Sequence, residues 1–282
     1  MVDLRKVAVD VATASGTGLG KRTRVTSGGH LPPWEVIMSR LLIAEVSFMA
    51  ETSDLEPKKV VRESYNRISR AYRGDAVSRD PGYFRWLAVL TPLLQPGDPV
   101  LDLGCGCGIP VAQELAPTFR VTGVDISEVQ ITRAQALVPE ATFLCQDIMA
   151  VHFPPQTFAA IVAFFAVIHL PLPEQRPLFA RLFNWVRPGG YLMITVGHRA
   201  WTGYKDEWYG ALMYWSHTDE ATYLAWLQDS GFVVQWRQFI PEGTDGHVLL
   251  LAQRPSGTAA LPRDERTVVM TERDGGTESG EE

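Results

Sequence analysis

The chain has 282 residues, 46% of them hydrophobic and 21% charged, with a formal net charge of -6 at pH 7. That is enough apolar material for one sizeable core. The acidic balance argues against a protein built chiefly to hold a phosphate backbone, and no apolar run approaches the ~20 residues of a membrane span. Three cysteines do not make a disulfide framework and suit a reducing compartment, so the chain is read as cytoplasmic.

Residues 1–48 form a poorly patterned front end. SGTGLGKRTRVTSGGHLPP is rich in Gly, Ser, Thr and basic residues and reads as disordered, and WEVIMSRLLIAEVSFM follows as a short amphipathic helix. Asp10 interrupts the apolar start, which argues against a secretory signal. Met49 precedes a capping box, Ser53 with Glu56, and from there Val61, Tyr65, Ile68 and Tyr72 recur at helical spacing. A second helix is expected over 81–94, with Phe84, Leu87 and Leu94 inward and Pro96-Gly97 at its end.

An alternation then begins. Strands are expected at PVLDL (99–103), RVTGVD (120–125), ATFLCQD (141–147), FAAIVAFF (158–165) and YLMITV (191–196). Helices are expected over 109–116, 127–137 with Ser127 as N-cap, and 174–186. This order implies a parallel, doubly wound sheet. An aromatic-rich segment, 198–219, leads to a helix over 219–229 that stops at Gly231. FVVQWRQFI and HVLLLAQR flank PEGTDG as an antiparallel hairpin, and 255–282 read as a disordered tail.

The chemistry concentrates in VLDLGCGCGIPVAQEL (100–115), where Gly104, Gly106 and Gly108 alternate with Cys105 and Cys107 between a strand and a helix. A zinc site wants four ligands and no second pair flanks Cys105; a thioredoxin-like pair would be C-x-x-C. No metal is therefore expected, and the cysteines read as small fillers of a tight loop. In the dinucleotide pattern G-x-G-x-x-G/A, a frame starting at Gly104 puts Ile109 at the third small position, and a P-loop lacks its Gly-Lys-Ser/Thr. Such a loop still brings backbone amides and a helix N-terminus close to a ligand.

What fits is acid-x-G-x-G-x-G, from Asp102 through Gly104 and Gly106 to Gly108. Here the chain resembles the class I S-adenosylmethionine-dependent methyltransferases. Asp125 ends VTGVD, Asp147 ends FLCQD, FAAIVAFFAVIHL resembles the fourth-strand motif and RPGGYLMI the turn into the fifth. The resemblance covers about residues 58–254, most strongly 99–196. It implies an α/β fold with a doubly wound, mostly parallel seven-stranded sheet and a C-terminal antiparallel hairpin, in a domain spanning 49–254. It implies S-adenosylmethionine as cofactor, with both ribose hydroxyls on Asp125 and the adenine amino group on Asp147. Asp102 would organise the loop, Ile126 and Met149 would enclose the adenine, and Cys105, Ile148 and Phe164 would complete the cofactor site.

Ligands of open α/β sheets sit beyond the carboxyl ends of the strands. Trp201, Trp208, Tyr209, Tyr214 and Trp215 would therefore form a lid or wall of an apolar acceptor pocket, with Tyr65 and Tyr72 closing the opposite side. His169, in AVIHLP after the fourth strand, is the first candidate for a general base; His217 is the second and His198 the third. The Asp/Asn-Pro-Pro-aromatic signature of amino-methyltransferases is absent, as is the paired-glutamate loop of arginine methyltransferases. The remaining resemblance is to small-molecule methyltransferases of quinone biosynthesis and secondary metabolism, with O-, N-, S- and C-methylation all open. No nucleic-acid or membrane partner is expected, and oligomeric state is left open. The rival readings are an RNA or protein methyltransferase docking through GKRTR, and a non-catalytic binder of the cofactor.

Overall fold

The computed structural model describes residues 55–76, 81–243 and 245–257. The expectations for 1–48, for the capping residue Ser53 and for 258–282 lie outside the described residues.

Helix α1 spans Pro57–Tyr72 and α2 spans Pro81–Leu90. Glu56 occupies the N-cap position of α1 without a side-chain cap, and Pro57 opens the helix, where its missing N–H costs nothing. Helix α2 is shorter than its apolar pattern suggests. Proline disfavours helical backbone in the residue before it, and at Thr91–Pro92 the chain tightens into a 3₁₀ turn over Thr91–Leu93. Tyr83, Trp86, Leu87 and Leu90 face inward, whereas Phe84 is only half-buried.

The remaining elements are β1 (Pro99–Leu103), α3 (Val111–Leu115), β2 (Arg120–Asp125), α4 (Glu128–Leu137), β3 (Thr142–Cys145), β4 (Phe158–Ala163), α5 (Leu172–Trp185), β5 (Val186–Gly197), β6 (Trp201–Trp208), β7 (Ala211–His217), α6 (Glu220–Asp229), β8 (Val233–Glu242) and β9 (Asp245–Gln253). Seven strands form one sheet in the order β3-β2-β1-β4-β5-β9-β8. The first five are parallel, and β9 runs antiparallel to both β5 and β8. The doubly wound sheet with its terminal hairpin is thus the expected one.

Period-two alternation along the central strands feeds two cores. Leu101, Leu103, Ile161, Leu192 and Ile194 pack with α5 and α6 on one face. Val100, Ala160, Val162 and Met193 pack with α2, α3 and α4 on the other. Strand β4 is buried throughout, as a central parallel strand covered on both faces must be.

The aromatic-rich segment 198–219, to which no strands were assigned from sequence, forms a hairpin. Strands β6 and β7 pair into a separate two-stranded antiparallel sheet, with Trp201 opposite His217 and Gly203 opposite Trp215. Helix α1 lies between this hairpin and α4. Met213 and Tyr214 pack on Val61 and Ile68, and the Ser64 hydroxyl donates to the Leu212 carbonyl. On the other side Arg133 of α4 donates to the carbonyls of Ser69 and Arg73 at 2.7 Å each.

Candidate active site

The loop after β1 and the ends of β2 and β4 converge on one cleft, lined by Gly104, Gly106, Asp125, Ile126, Asp147 and Ile148 together with Phe164, His169 and residues of α1. Asp125 sits at the end of β2. Its Oδ2 accepts from the Gly106 amide and its Oδ1 from the Ser127 amide, each at 2.9 Å. Burial lifts its carboxyl pKa to about 6 against the pull of those two bonds, so it is ionised at pH 7. Each oxygen keeps a lone pair for a further donor. Gly104 has φ +72°, and a Cβ there would collide with Ala166, so only glycine lets the loop lie this close to the end of β4.

Asp147 closes the far end of the cleft. Its Oδ1 accepts from the Met149 amide at 2.8 Å, and its Oδ2 is held by Lys58 Nζ at 2.6 Å. Lys58 also reaches Glu174 at 2.9 Å, so α1 is latched across the floor of the cleft. Nothing in the sequence pattern of α1 pointed to Lys58.

A second recess continues from Gly104 and Gly106 past Cys105 to Asp102, Arg73 and Gln130. Asp102 is 2% exposed, and its Oδ2 has no hydrogen-bond partner among the described residues. Burial, reinforced by the Asp125 charge, pushes its pKa up to about 8. Arg73 lines the same recess, its guanidinium over the rings of Tyr72 and Tyr83, at 5.7 and 5.1 Å.

Two residues expected at the cofactor lie elsewhere. Gly108 does not line the cleft: at φ +80° it packs where a Cβ would press on Val138 and Phe143. Met149 packs on the core beneath the sheet while its neighbour Ile148 takes the cleft position.

The cleft opens into a larger cavity of about 900 Å³ through residues common to both, Tyr65, Tyr72, Phe165 and His169. Trp201, Trp208, Tyr209, Trp215 and His217 line it. Trp86, Lys205, Glu242, Asp245 and His247 were not foreseen. Tyr214 is a correction: consecutive strand residues face opposite sides, so Trp215 faces the cavity while the Tyr214 ring packs beside Tyr204 beneath α1. His198 stacks on Phe239 and does not line the cavity.

His169 is 8% exposed and held on both ring nitrogens. Nδ1 lies 2.7 Å from the Tyr214 carbonyl, and Nε2 lies 2.9 Å from the Tyr65 hydroxyl. A carbonyl only accepts, so Nδ1 carries the proton and Nε2 accepts from Tyr65. Burial lowers the pKa of His169 to about 4. It is therefore a neutral imidazole across the physiological range, not the freely titrating group expected from the sequence. His217 is likewise pinned, its Nδ1 2.5 Å from the Arg199 carbonyl, and burial lowers its pKa.

Phe165 has φ +53° and its amide donates to the Thr195 hydroxyl. A bulky residue in this region is strained, and here the strain turns its ring to the junction of cleft and cavity. Among the described residues no cluster of His, Cys, Asp or Glu could hold a metal ion, and no helix is long and apolar enough to cross a membrane.

A parallel sheet with a glycine loop after its first strand and an acid after its second defines a Rossmann-like nucleotide-binding domain. Residues 100–190 match the family described as a methyltransferase domain. Over 131 residues the chain is 32% identical to a sterol 24-C-methyltransferase of Yarrowia lipolytica, covering 44% of this chain and 34% of that one. Over 108 residues it is 39% identical to the 2-methyl-6-phytyl-1,4-hydroquinone methyltransferase of Synechocystis, covering 36% and 33%. It thus spans about a third of the length of these curated relatives. The fold matches magnesium protoporphyrin IX methyltransferase from Synechocystis, solved with bound SAH, at a TM-score of 0.54 and 22% identity over 71% of this chain and all of that one. Residues 100–190 thus match a methyltransferase-domain family, and the fold around them is one that a solved methyltransferase shares.

Proposed function

We propose that the protein transfers the methyl group of S-adenosylmethionine to a small-molecule acceptor held in the aromatic cavity. The observation that carries this reading is the junction itself. Tyr65, Tyr72, Phe165 and His169 belong at once to the cleft beside the glycine loop and to the 900 Å³ cavity. Two ligands placed in these spaces would meet there.

The residues fit the cofactor along its length. Asp125 offers two oxygens to a ribose diol, and Ile126 and Ile148 offer an apolar slot for a purine. Asp102 and Arg73 are an acid and a base for an amino-acid zwitterion. Asp147 reaches an adenine amino group only by sharing its Oδ2 with Lys58, since both are donors competing for one carboxylate oxygen.

When bound, the sulfonium supplies an electrophilic methyl group, and the protein has to orient a nucleophile and exclude water. The rings around the junction exclude water. Tyr65 donates to His169 Nε2, leaving its own oxygen free to accept a proton from an acceptor hydroxyl. As that proton arrives on Tyr65 Oη, the tyrosine proton passes to Nε2. Tyr65 remains neutral and the positive charge rests on an imidazole held by the Tyr214 carbonyl. His169 is thus the proton acceptor and Tyr65 the group that presents it. The domain boundaries 49–254 and a cytoplasmic location are part of the same reading.

Incubating the full chain with methyl-labelled cofactor and the small-molecule fraction of a cell extract tests it. We expect one or a few small masses to gain the label while demethylated cofactor accumulates. Label entering only RNA or protein, or cofactor bound without any transfer, would overturn the reading.

A further inference from the structure

The cavity also carries a charge pattern, and, resting on the methyltransferase reading, it narrows the acceptor. Two carboxylates line the cavity, and Asp245 is engaged in an ion pair. Glu242 lies 3.2 Å from His247 Nδ1, and Asp245 lies 3.1 Å from Arg199. Three cations line it, Arg73, Arg85 and Lys205, so cations outnumber carboxylates there. Arg73 belongs equally to the recess beside Asp102. Lys205 stands among the aromatic residues of the hairpin. Its ammonium lies over the indoles of Trp201 and Trp215, at 5.4 and 5.2 Å.

The hairpin builds this arrangement. Trp201, Gly203 and Lys205 alternate onto one face of β6, and Gly203 stands opposite Trp215. The Trp201 indole lies over Gly203, close to where a Cβ would stand, so the two indoles flank one ammonium. An aromatic box of this kind ordinarily selects a cationic ligand. Here the faces of Trp201, Trp215, Tyr72 and Tyr83 already carry the protein's own cations. A positively charged acceptor would meet like charge, whereas an anion would meet an ammonium.

Trp215 neighbours both groups. The Lys205 ammonium lies 5.2 Å from its ring centroid and the His169 imidazole 5.5 Å, tilted by 40°. Trp208 meets Trp215 at 90°. Walls of this kind suit a flat aromatic molecule.

We infer that the acceptor is a planar aromatic anion, of the aryl carboxylate class. Its charged group rests on Lys205, and its methyl-accepting atom points to Tyr65 and His169.

The test uses two fluorescent probes with one aromatic frame, the anionic 1-anilinonaphthalene-8-sulfonate and the neutral N-phenyl-1-naphthylamine. Both are titrated into the full chain and into Lys205→Met and Lys205→Arg, with S-adenosylhomocysteine binding measured in each. A merely apolar cavity would favour the neutral probe. We expect the sulfonate to bind ~10-fold more tightly to the wild type at low salt, the scale of one charge-assisted contact. That preference should disappear in Lys205→Met, survive in Lys205→Arg, and leave the neutral probe unmoved. Equal or tighter binding of the neutral probe, or a preference unchanged in Lys205→Met, would overturn the inference. Cofactor binding separates the two readings: intact S-adenosylhomocysteine affinity with no sulfonate preference rejects the anion site alone, and loss of that affinity in the wild type rejects the methyltransferase reading itself.

Discussion

Asp102 and His169 are both buried, and burial moves their pKa values in opposite directions, which gives the molecule two opposed pH dependences. His169 has a folded pKa of about 4 against an ordinary value of 6.5. The unfolded chain therefore binds more protons between these values, and the contribution is complete above 6.5 and lost as pH falls through about 4. Asp102 is raised from 3.8 to about 8. Its contribution is complete below 3.8 and lost as pH rises through about 8. Asp102→Asn removes that loss, so its unfolding free energy relative to the wild type should rise steadily between pH 4 and 8 in urea titrations. A flat difference would show that Asp102 ionises freely in the folded chain. The same acid should give up its proton when the cofactor's ammonium arrives. Calorimetry in buffers of different ionisation enthalpy should therefore show proton release on binding near pH 7, and no such release in Asp102→Asn. At the Tyr65–His169 pair, His169→Ala should lower turnover by ~10²-fold or more, the usual scale for a lost proton acceptor, with cofactor affinity nearly intact. Tyr65→Phe should reproduce much of that loss. Equal loss of cofactor binding and turnover in His169→Ala would assign it a structural role.

Among the elements, the strand ends were legible and the covering elements were not. Asp102, Gly104, Gly106, Asp125 and Asp147 lie at or just beyond the carboxyl ends of consecutive strands, so a linear motif already encodes their proximity. Lys58, Arg73, Lys205 and His247 come from α1, the turn after it, β6 and β9, far apart in the chain, and no local pattern marks them. The hairpin β6–β7 shows the cost of missing an element. Read as a loop, all its aromatics could face one cavity; once it is a strand, alternation turns Tyr214 away and leaves Trp215 in place. The places of Trp208 and Tyr209 in the cavity wall depend on the turn between the strands, where Glu207 and Tyr209 have φ +59° and +50°. Helix α1 is held by a buried cation. The side chain of Arg133 is 8% exposed and donates to Ser69, to the Arg73 carbonyl and to Asp75. Arg133→Met should cost ~3 kcal/mol, because it strands buried carbonyls as well as removing the bonds. Urea unfolding would measure it, and a change below ~0.5 kcal/mol would show that α1 docks through its apolar face alone.

Across the described residues, two spaces meet at one seam beside the sheet. The strand ends provide a cleft whose chemistry suits a nucleoside with a zwitterionic tail. The hairpin, α1 and the end of β9 provide a separate aromatic space, and the two share only a short seam. This division explains why the cofactor end could be read from a motif while the acceptor end could not. In the proposed reading the cofactor contacts lie mostly at the strand ends, whereas the acceptor contacts lie on the elements laid over them. The most direct test is a calorimetric titration of S-adenosylhomocysteine into the full chain and into Asp125→Ala, with NAD as the control ligand and thermal melts to confirm folding. One site per chain is expected, with no NAD binding. Loss of the ribose acceptor should weaken the complex by roughly 1–3 kcal/mol, or about ten- to a hundredfold. Unchanged affinity in a folded Asp125→Ala variant, or binding of NAD in place of S-adenosylhomocysteine, would contradict the assignment of the cleft.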